Sequence, residues 1–190
     1  MILHANLLLV GNGGTSFVKR HVDGTSDAMY VASLGYTATT HVFKTNRGNV
    51  QFNVCELYRQ SSKMSVDECF AGKDCAIVMY DLKCKLSLHD VLSNYHHVLG
   101  GVGPKTPVVF VGNKAELAEG DRKVKRKDIE RFRGNQTCRN GEIKVRPDHK
   151  KKAYQLVPHV EISNKTGDGI NEPFLVLARK MIGDDTLEFL

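Results

Sequence analysis

Four short segments gather the residues best suited to chemistry: Gly11-Asn12-Gly13-Gly14-Thr15-Ser16, Glu56-Leu57-Tyr58-Arg59-Gln60, Asn113-Lys114-Ala115-Glu116 and Ser163-Asn164-Lys165. The first is glycine-rich, ends in two hydroxyls and follows an apolar run directly. Such a turn can hold an anion on its backbone N–H groups where a helix begins. It can equally be a strand–helix turn that the fold requires. Asn113 and Lys114 carry the same two readings, as ligand contacts or as braces between neighbouring loops. Tyr58 and Arg59 could fill a pocket, and Gln60 could be an ordinary solvated loop residue. Metal chemistry is poorly supported. The five cysteines, Cys55, Cys69, Cys75, Cys84 and Cys138, show no C-x-x-C spacing. Neither His96-His97 nor the Cys138 and His149 pair fits a zinc arrangement. An odd number of scattered cysteines suits reduced thiols.

These segments follow apolar runs that read as buried strands. Residues 5–10 (A-N-L-L-L-V), 75–80 (C-A-I-V-M-Y), 107–111 (P-V-V-F-V) and 157–162 are such runs. Residues 37–44 and 50–55 flank Asn46-Arg47-Gly48-Asn49 and predict a hairpin. Helices are predicted over 16–22, over 86–99 from the spacing of Leu88, Val91, Leu92, Tyr95 and Leu99, and over 173–182 with Gly183 as its stop. Alternating strands and helices imply an α/β domain with a mostly parallel sheet covered on both faces. Ligands of such sheets bind at the carboxyl ends of the strands, where all four segments fall. Residues 133–152 are polar and broken by Asn140-Gly141 and Arg146-Pro147, which predicts a surface insertion with a small hairpin around Asn140-Gly141.

The chain has 190 residues, which suits one domain, 1–190, with the insertion at about 133–150. The net charge of +6 is uneven: residues 122–152 hold 13 basic and 4 acidic side chains, a local charge of +9. Arg122, Lys123, Lys150, Lys151 and Lys152 belong to this patch, which would attract an acidic partner. Nucleic acid is a weaker expectation, because the insertion carries no aromatic side chain for base stacking. No apolar run is long enough to span a bilayer. The first ten residues read as a strand rather than a signal peptide, and the last residues match no lipidation signal. A monomer in the cytosol or nucleus is expected.

Several blocks carry a family resemblance. Val18-Lys19-Arg20-His21, Thr45-Asn46-Arg47-Gly48, Gly112-Asn113-Lys114, Asp121-Arg122-Lys123-Val124-Lys125, Pro173-Phe174-Leu175 and Leu187-Glu188-Phe189 resemble the Ran-type small GTPases of nuclear transport. The likeness runs from about residue 5 to 190 outside the insertion. It implies the small-GTPase fold: six strands, mostly parallel, with one antiparallel edge strand and helices on both faces. It also implies a guanine-nucleotide site with Mg²⁺ and partners among importin- or exportin-type receptors or regulators of Ran. His149-Lys150-Lys151-Lys152 resembles a basic run that faces acidic surfaces in that family. The family's acidic C-terminal tail has no counterpart after Leu190, so the patch is expected to stay uncovered.

Carried over position by position, the resemblance assigns Gly11, Asn12, Gly13, Gly14, Thr15 and Ser16 to the phosphate loop. It assigns Ser33 and Glu56 to magnesium positions and Gln60 to the water-orienting position. Asn113, Lys114, Glu116, Ser163, Asn164 and Lys165 fall to the base-reading loops. The departures bear on function. The family loop is G-x-x-x-x-G-K-[S/T], whereas Thr15 here runs straight into Ser16-Phe17, so a Gly-Lys-Thr core is expected to be missing. The family's D-T-A-G-Q reads Glu56-Leu57-Tyr58-Arg59-Gln60, and Glu116 stands for the base-pairing Asp of N-K-x-D. Charge-assisted hydrogen bonds contribute about 1.5–3 kcal/mol each. Losing the lysine, the hydroxyl and several backbone donors therefore costs more than about 5 kcal/mol, a factor of thousands in affinity. The sequence thus predicts a pseudo-GTPase scaffold with no cofactor, no resident metal and no catalytic residue. The alternative is a GTPase that binds GTP or GDP with Mg²⁺ weakly through altered phosphate contacts.

Overall fold

A computed structural model describes residues 3–22, 29–31, 36–57, 70–125, 127–129, 142–145 and 155–190. The elements in chain order are β1 (Leu3–Gly11), α1 (Gly14–Val22), β2 (Met29–Val31), β3 (Tyr36–Thr45), β4 (Gly48–Leu57), β5 (Cys75–Asp81), α2 (Lys85–Gly101), β6 (Val108–Asn113), β7 (Glu142–Val145), β8 (Gln155–Ile162) and α3 (Glu172–Ile182). The strands form one sheet in the order β2-β3-β4-β1-β5-β6-β8-β7. Its inner part, from β3 to β8, is the expected six-stranded arrangement. β4, β1, β5, β6 and β8 run parallel, and β3 is antiparallel to β4.

Two short antiparallel strands extend it. β2 pairs with β3, and β7 pairs with β8 from Glu142↔Pro158 to Val145↔Gln155. The expected turn at Asn140-Gly141 lies outside the described residues; residues 142–145 of the insertion pair with the following strand β8. An unpaired β8 edge would offer a row of free backbone N–H and C=O groups, and β7 satisfies them. Val145 goes into the core with Val157.

Strand β1 shows why a continuous apolar run belongs at the centre. Leu8 and Val10 face one core with Val78, Tyr80, Phe110 and the Val91 and Tyr95 side of α2. Leu7 and Leu9 face the other with Ile77, Met79, Val111, Phe17 of α1 and Phe174 and Leu177 of α3. Both faces are covered, so both sets of alternating side chains must be apolar. Helix α3 has Pro173 in its first turn and ends at Gly183 with φ 76°, whose N–H donates to Arg179 O at 2.8 Å. A left-handed residue closing a helix favours glycine. No helix among the described residues is long and apolar enough to cross a membrane.

Candidate functional site

The carboxyl ends of β1, β4, β6 and β8 bring three of the four chemical segments together, with the first two residues of the fourth. β1 ends at Gly11, and only Asn12 and Gly13 separate it from α1. The helix starts two residues before the sequence suggests, since Phe17 N–H already donates to Gly13 O at 3.0 Å. The turn is pinned by Asn12 N–H donating to Met79 O of β5 at 3.1 Å. Gly11 has φ 104°, and a Cβ there would lie 2.0 Å from Met79 O, so only glycine fits. A pocket of about 360 Å³ opens beside the turn, lined by residues 11–16 with Glu56 and Leu57.

Asn113 sits at the end of β6, buried, and acts as the hub of the base-side loops. Its Oδ1 accepts from Lys114 N–H at 2.8 Å and from Asn164 N–H at 3.1 Å. Its Nδ2 lies so close to Gly13 that a Cβ at Gly13 would come within 2.8 Å. Asn164 Nδ2 donates to Gly13 O at 3.1 Å, tying the third loop to the first. Ser163 is fully buried and accepts from Thr166 N–H at 3.0 Å. Lys114 is the one non-glycine with positive φ (74°) among the described residues, and its ammonium pairs with Asp81 of β5 at 2.6 Å. Asp81 escaped the sequence reading. An acid closing an otherwise apolar strand beside a lysine loop was the available signal.

On the phosphate side, Thr15 is the second residue of α1, and its hydroxyl donates to Glu56 Oε1 at 2.7 Å. Glu56 is buried, near the end of β4. A hydroxyl of the first helical turn facing an acid from the neighbouring strand is the role that G-K-[S/T] gives its last residue. Thr15, the second residue of α1, takes that place.

Glu116, Lys165 and Ser16 are exposed at the rim. Ser33, Gln60, Lys150, Lys151 and Lys152 lie outside the described residues, as do Tyr58 and Arg59. Arg122 bonds Glu161 of β8 through its guanidinium and is only 23% exposed at its side chain, whereas Lys123 is exposed. Cys55, Cys75 and Cys84 are free thiols, and no metal-binding cluster occurs among the described residues.

Comparison with protein-family models matches residues 6–183 to the Ras family. The chain belongs to the Ras family. Its sheet order, its strand–turn–helix at residues 11–16 and its paired Asn113 and Asn164 loops are the Ras-family scaffold read in this sequence. Within that scaffold the base side retains amides, a lysine and a serine in place. The phosphate side retains a hydroxyl and an acid, and residues 11–16 contain no lysine or arginine. Among the described residues, none that lines the pocket is a lysine or arginine.

Proposed function

We propose that this chain is a Ran-type pseudo-GTPase, a Ras-family domain that keeps the fold and the base-side loops without holding or hydrolysing GTP. The observation that carries the reading is the two-residue turn between β1 and α1. A loop this short cannot curl around a β-phosphate. The nearest basic residues in the chain after it, Lys19 and Arg20, sit in the last turn of α1. At about 1.5 Å of rise per residue they stand several ångströms down the helix from Gly14. Phosphoryl transfer depends on positioned charge, so the same defect removes catalysis.

The Ran-type blocks and the basic residues at 122–152 support a scaffold role in nucleocytoplasmic transport. Acidic faces of importin- or exportin-type receptors, or of regulators of Ran, are the partners this charge fits. The protein would work in the nucleus and cytoplasm as a monomer. The second reading, weak guanine-nucleotide binding, is favoured by the intact Asn113 and Asn164 connections and by the Thr15 and Glu56 pair.

Titration calorimetry of GTP and GDP with Mg²⁺ into nucleotide-stripped protein tests the two readings, with mass analysis of any co-purifying ligand. Absence of heat up to about millimolar ligand supports the scaffold. Micromolar or tighter binding establishes the second reading instead. Pull-downs with purified transport receptors, repeated at raised salt, test the partner class.

A further inference from the structure

Strand β5 ends at Asp81, and Leu82-Lys83-Cys84 carries the chain into α2, which Lys85 and Leu86 open. A second segment is stitched to this bend. The carbonyl oxygen of Leu82 accepts from the N–H groups of both Lys123 and Val124 at 3.0 Å. Leu82 and Val124 are buried in the core, and their neighbours Lys83, Lys123 and Lys125 are exposed. Lys85 and Lys127 are exposed as well. Residues 82–86 hold two basic side chains and no acid, and residues 121–128 hold five basic side chains and two acids. Asp128 shows what this surface accepts. Its carboxylate takes the Lys125 N–H at 2.9 Å and lies 3.6 Å from the Lys85 ammonium. That N–H first, and then the charges of Lys85 and Lys127, hold Asp128 below the usual carboxylate range. The side chains of Lys83, Lys123, Lys125 and Lys127 form no salt bridge among the described residues. Next to Lys85 stands Leu86, a large apolar side chain left 74% exposed.

We propose that the bend at 83–86 and the segment 123–127 form one docking surface for an acidic protein segment, which sets an apolar side chain on Leu86 and its carboxylates on the lysines. Charge complementarity selects the partner class, because unpaired ammonium groups accept carboxylates without a fixed geometry. Leu86 adds a contact that charge alone does not supply. Nucleic acid fits less well. Residues 82–86 and 121–129 contain no Phe, Tyr or Trp on which a base could stack, and a leucine gains nothing from a phosphate backbone. The inference rests on the acidic-partner side of the scaffold reading, whatever the state of the nucleotide site. It adds residues 83–86, which lie outside the basic stretch at 122–152.

Fluorescence anisotropy with the full chain tests this. The probe is a labelled peptide of aspartates and glutamates around a central pair of leucines, and its control carries serines in their place. Wild type is expected to bind the leucine peptide about tenfold more tightly than the control. Leu86→Ser should abolish that preference. Lys83→Glu combined with Lys123→Glu should weaken the leucine peptide by about tenfold or more. These positions are exposed, so circular dichroism should match wild type. No binding by wild type, equal affinity for the two peptides, or wild-type affinity in the variants would overturn the proposal. Tighter binding of a single-stranded oligonucleotide of the same charge would overturn it too. The outcome is separable from the function reading. Transport receptors that bind wild type and Leu86→Ser alike remove only this inference. Receptors that bind neither, while the peptide binds through Leu86, remove only the transport role.

Discussion

The side-chain amide of Asn164 donates to the carbonyl oxygen of Gly13 at 3.1 Å, joining two loops 151 positions apart in sequence. The same residue's backbone N–H reaches Asn113 Oδ1 at 3.1 Å. Asn164 thus staples the base-side loop to the turn before α1. Asn164→Ala removes the staple and is expected to cost about 1–2 kcal/mol. Asn164→Asp turns the donor into an acceptor facing a carbonyl and should cost more. Urea unfolding would show both as lower midpoints with an unchanged slope.

Tyr80 of β5 and His159 of β8 meet across the intervening β6 at Gly112. The Tyr80 hydroxyl lies 2.7 Å from His159 Nε2, and the rings stack with centroids 5.9 Å apart. A Cβ at Gly112 would lie 2.8 Å from the Tyr80 oxygen and 2.9 Å from its Cζ. Gly112→Ala is therefore expected to destabilise by about 1–3 kcal/mol through overpacking. Tyr80→Phe in the same chain removes only the nearer of these atoms, so it should recover part of the loss. A double-mutant cycle of melting curves measures that recovery.

His21 and His41 sit together under β3, α1 and α3, their ring centroids 5.4 Å apart. Burial, and secondarily the neighbouring His21, pushes the His41 pKa down to about 4. Burial also lowers His21, although its bonds to Phe17 O and Asn171 act the other way. The sign follows from proton uptake. The unfolded chain binds a proton near pH 6.5, and the folded one holds His41 neutral until about pH 4. Stability is complete above the unfolded pKa and falls as pH drops through this window, by a total on the order of 3 kcal/mol for His41. Melting temperatures recorded from neutral pH down to about 4.5 should fall less steeply in His41→Gln than in wild type.

Residues near the C-terminus clasp the β3–β4 hairpin. Leu190 N–H donates to Lys44 O at 2.9 Å, and Asn46 N–H donates to Glu188 O at 3.1 Å. Phe189 stacks on Phe43 with centroids 4.5 Å apart and planes at 9°. Arg47 pairs with Asp184 at 3.0 Å. Phe189→Ala should remove the stack and loosen the clasp at a cost of about 2 kcal/mol. Amide hydrogen exchange would localise the effect to β3 and its turn if the clasp opens on its own.

Periodicity and apolar runs made most of this fold legible. The run of Leu7 to Val10 marked β1 because both faces of a central strand are buried. The spacing of Leu88, Val91 and Tyr95 marked α2 because one helical face is buried. β2 and β7 were not legible. A strand of three or four residues leaves too few alternations to count, and β7 is set by the free edge of β8 rather than by its own composition. Within the site, the loops at 113–116 and 163–165 were legible as motifs, and Asn113, Lys114, Ser163 and Asn164 stand together as the motif implies. The contacts of Asp81 and Glu56 were not, because sequence spacing says nothing about partners 33 and 41 positions away.

The position of Thr15 leads to the sharpest prediction about the phosphate side. Its hydroxyl already faces Glu56 from the first turn of α1. Inserting Thr-Gly-Lys between Gly14 and Thr15 would restore G-x-x-x-x-G-K-T, with Thr15 as the last residue. The insertion lengthens the turn, adds backbone donors and supplies the lysine, each worth about 1.5–3 kcal/mol when charge-assisted. GDP affinity should therefore rise by about a hundredfold or more. Glu116→Asp alone adjusts one contact on the base side and leaves the phosphates without a cation, so it should change GDP affinity by no more than about threefold. Calorimetry of both variants, with Mg²⁺ present, compares the two halves of the site directly. A large gain from Glu116→Asp, with none from the insertion, would place the defect at the base instead.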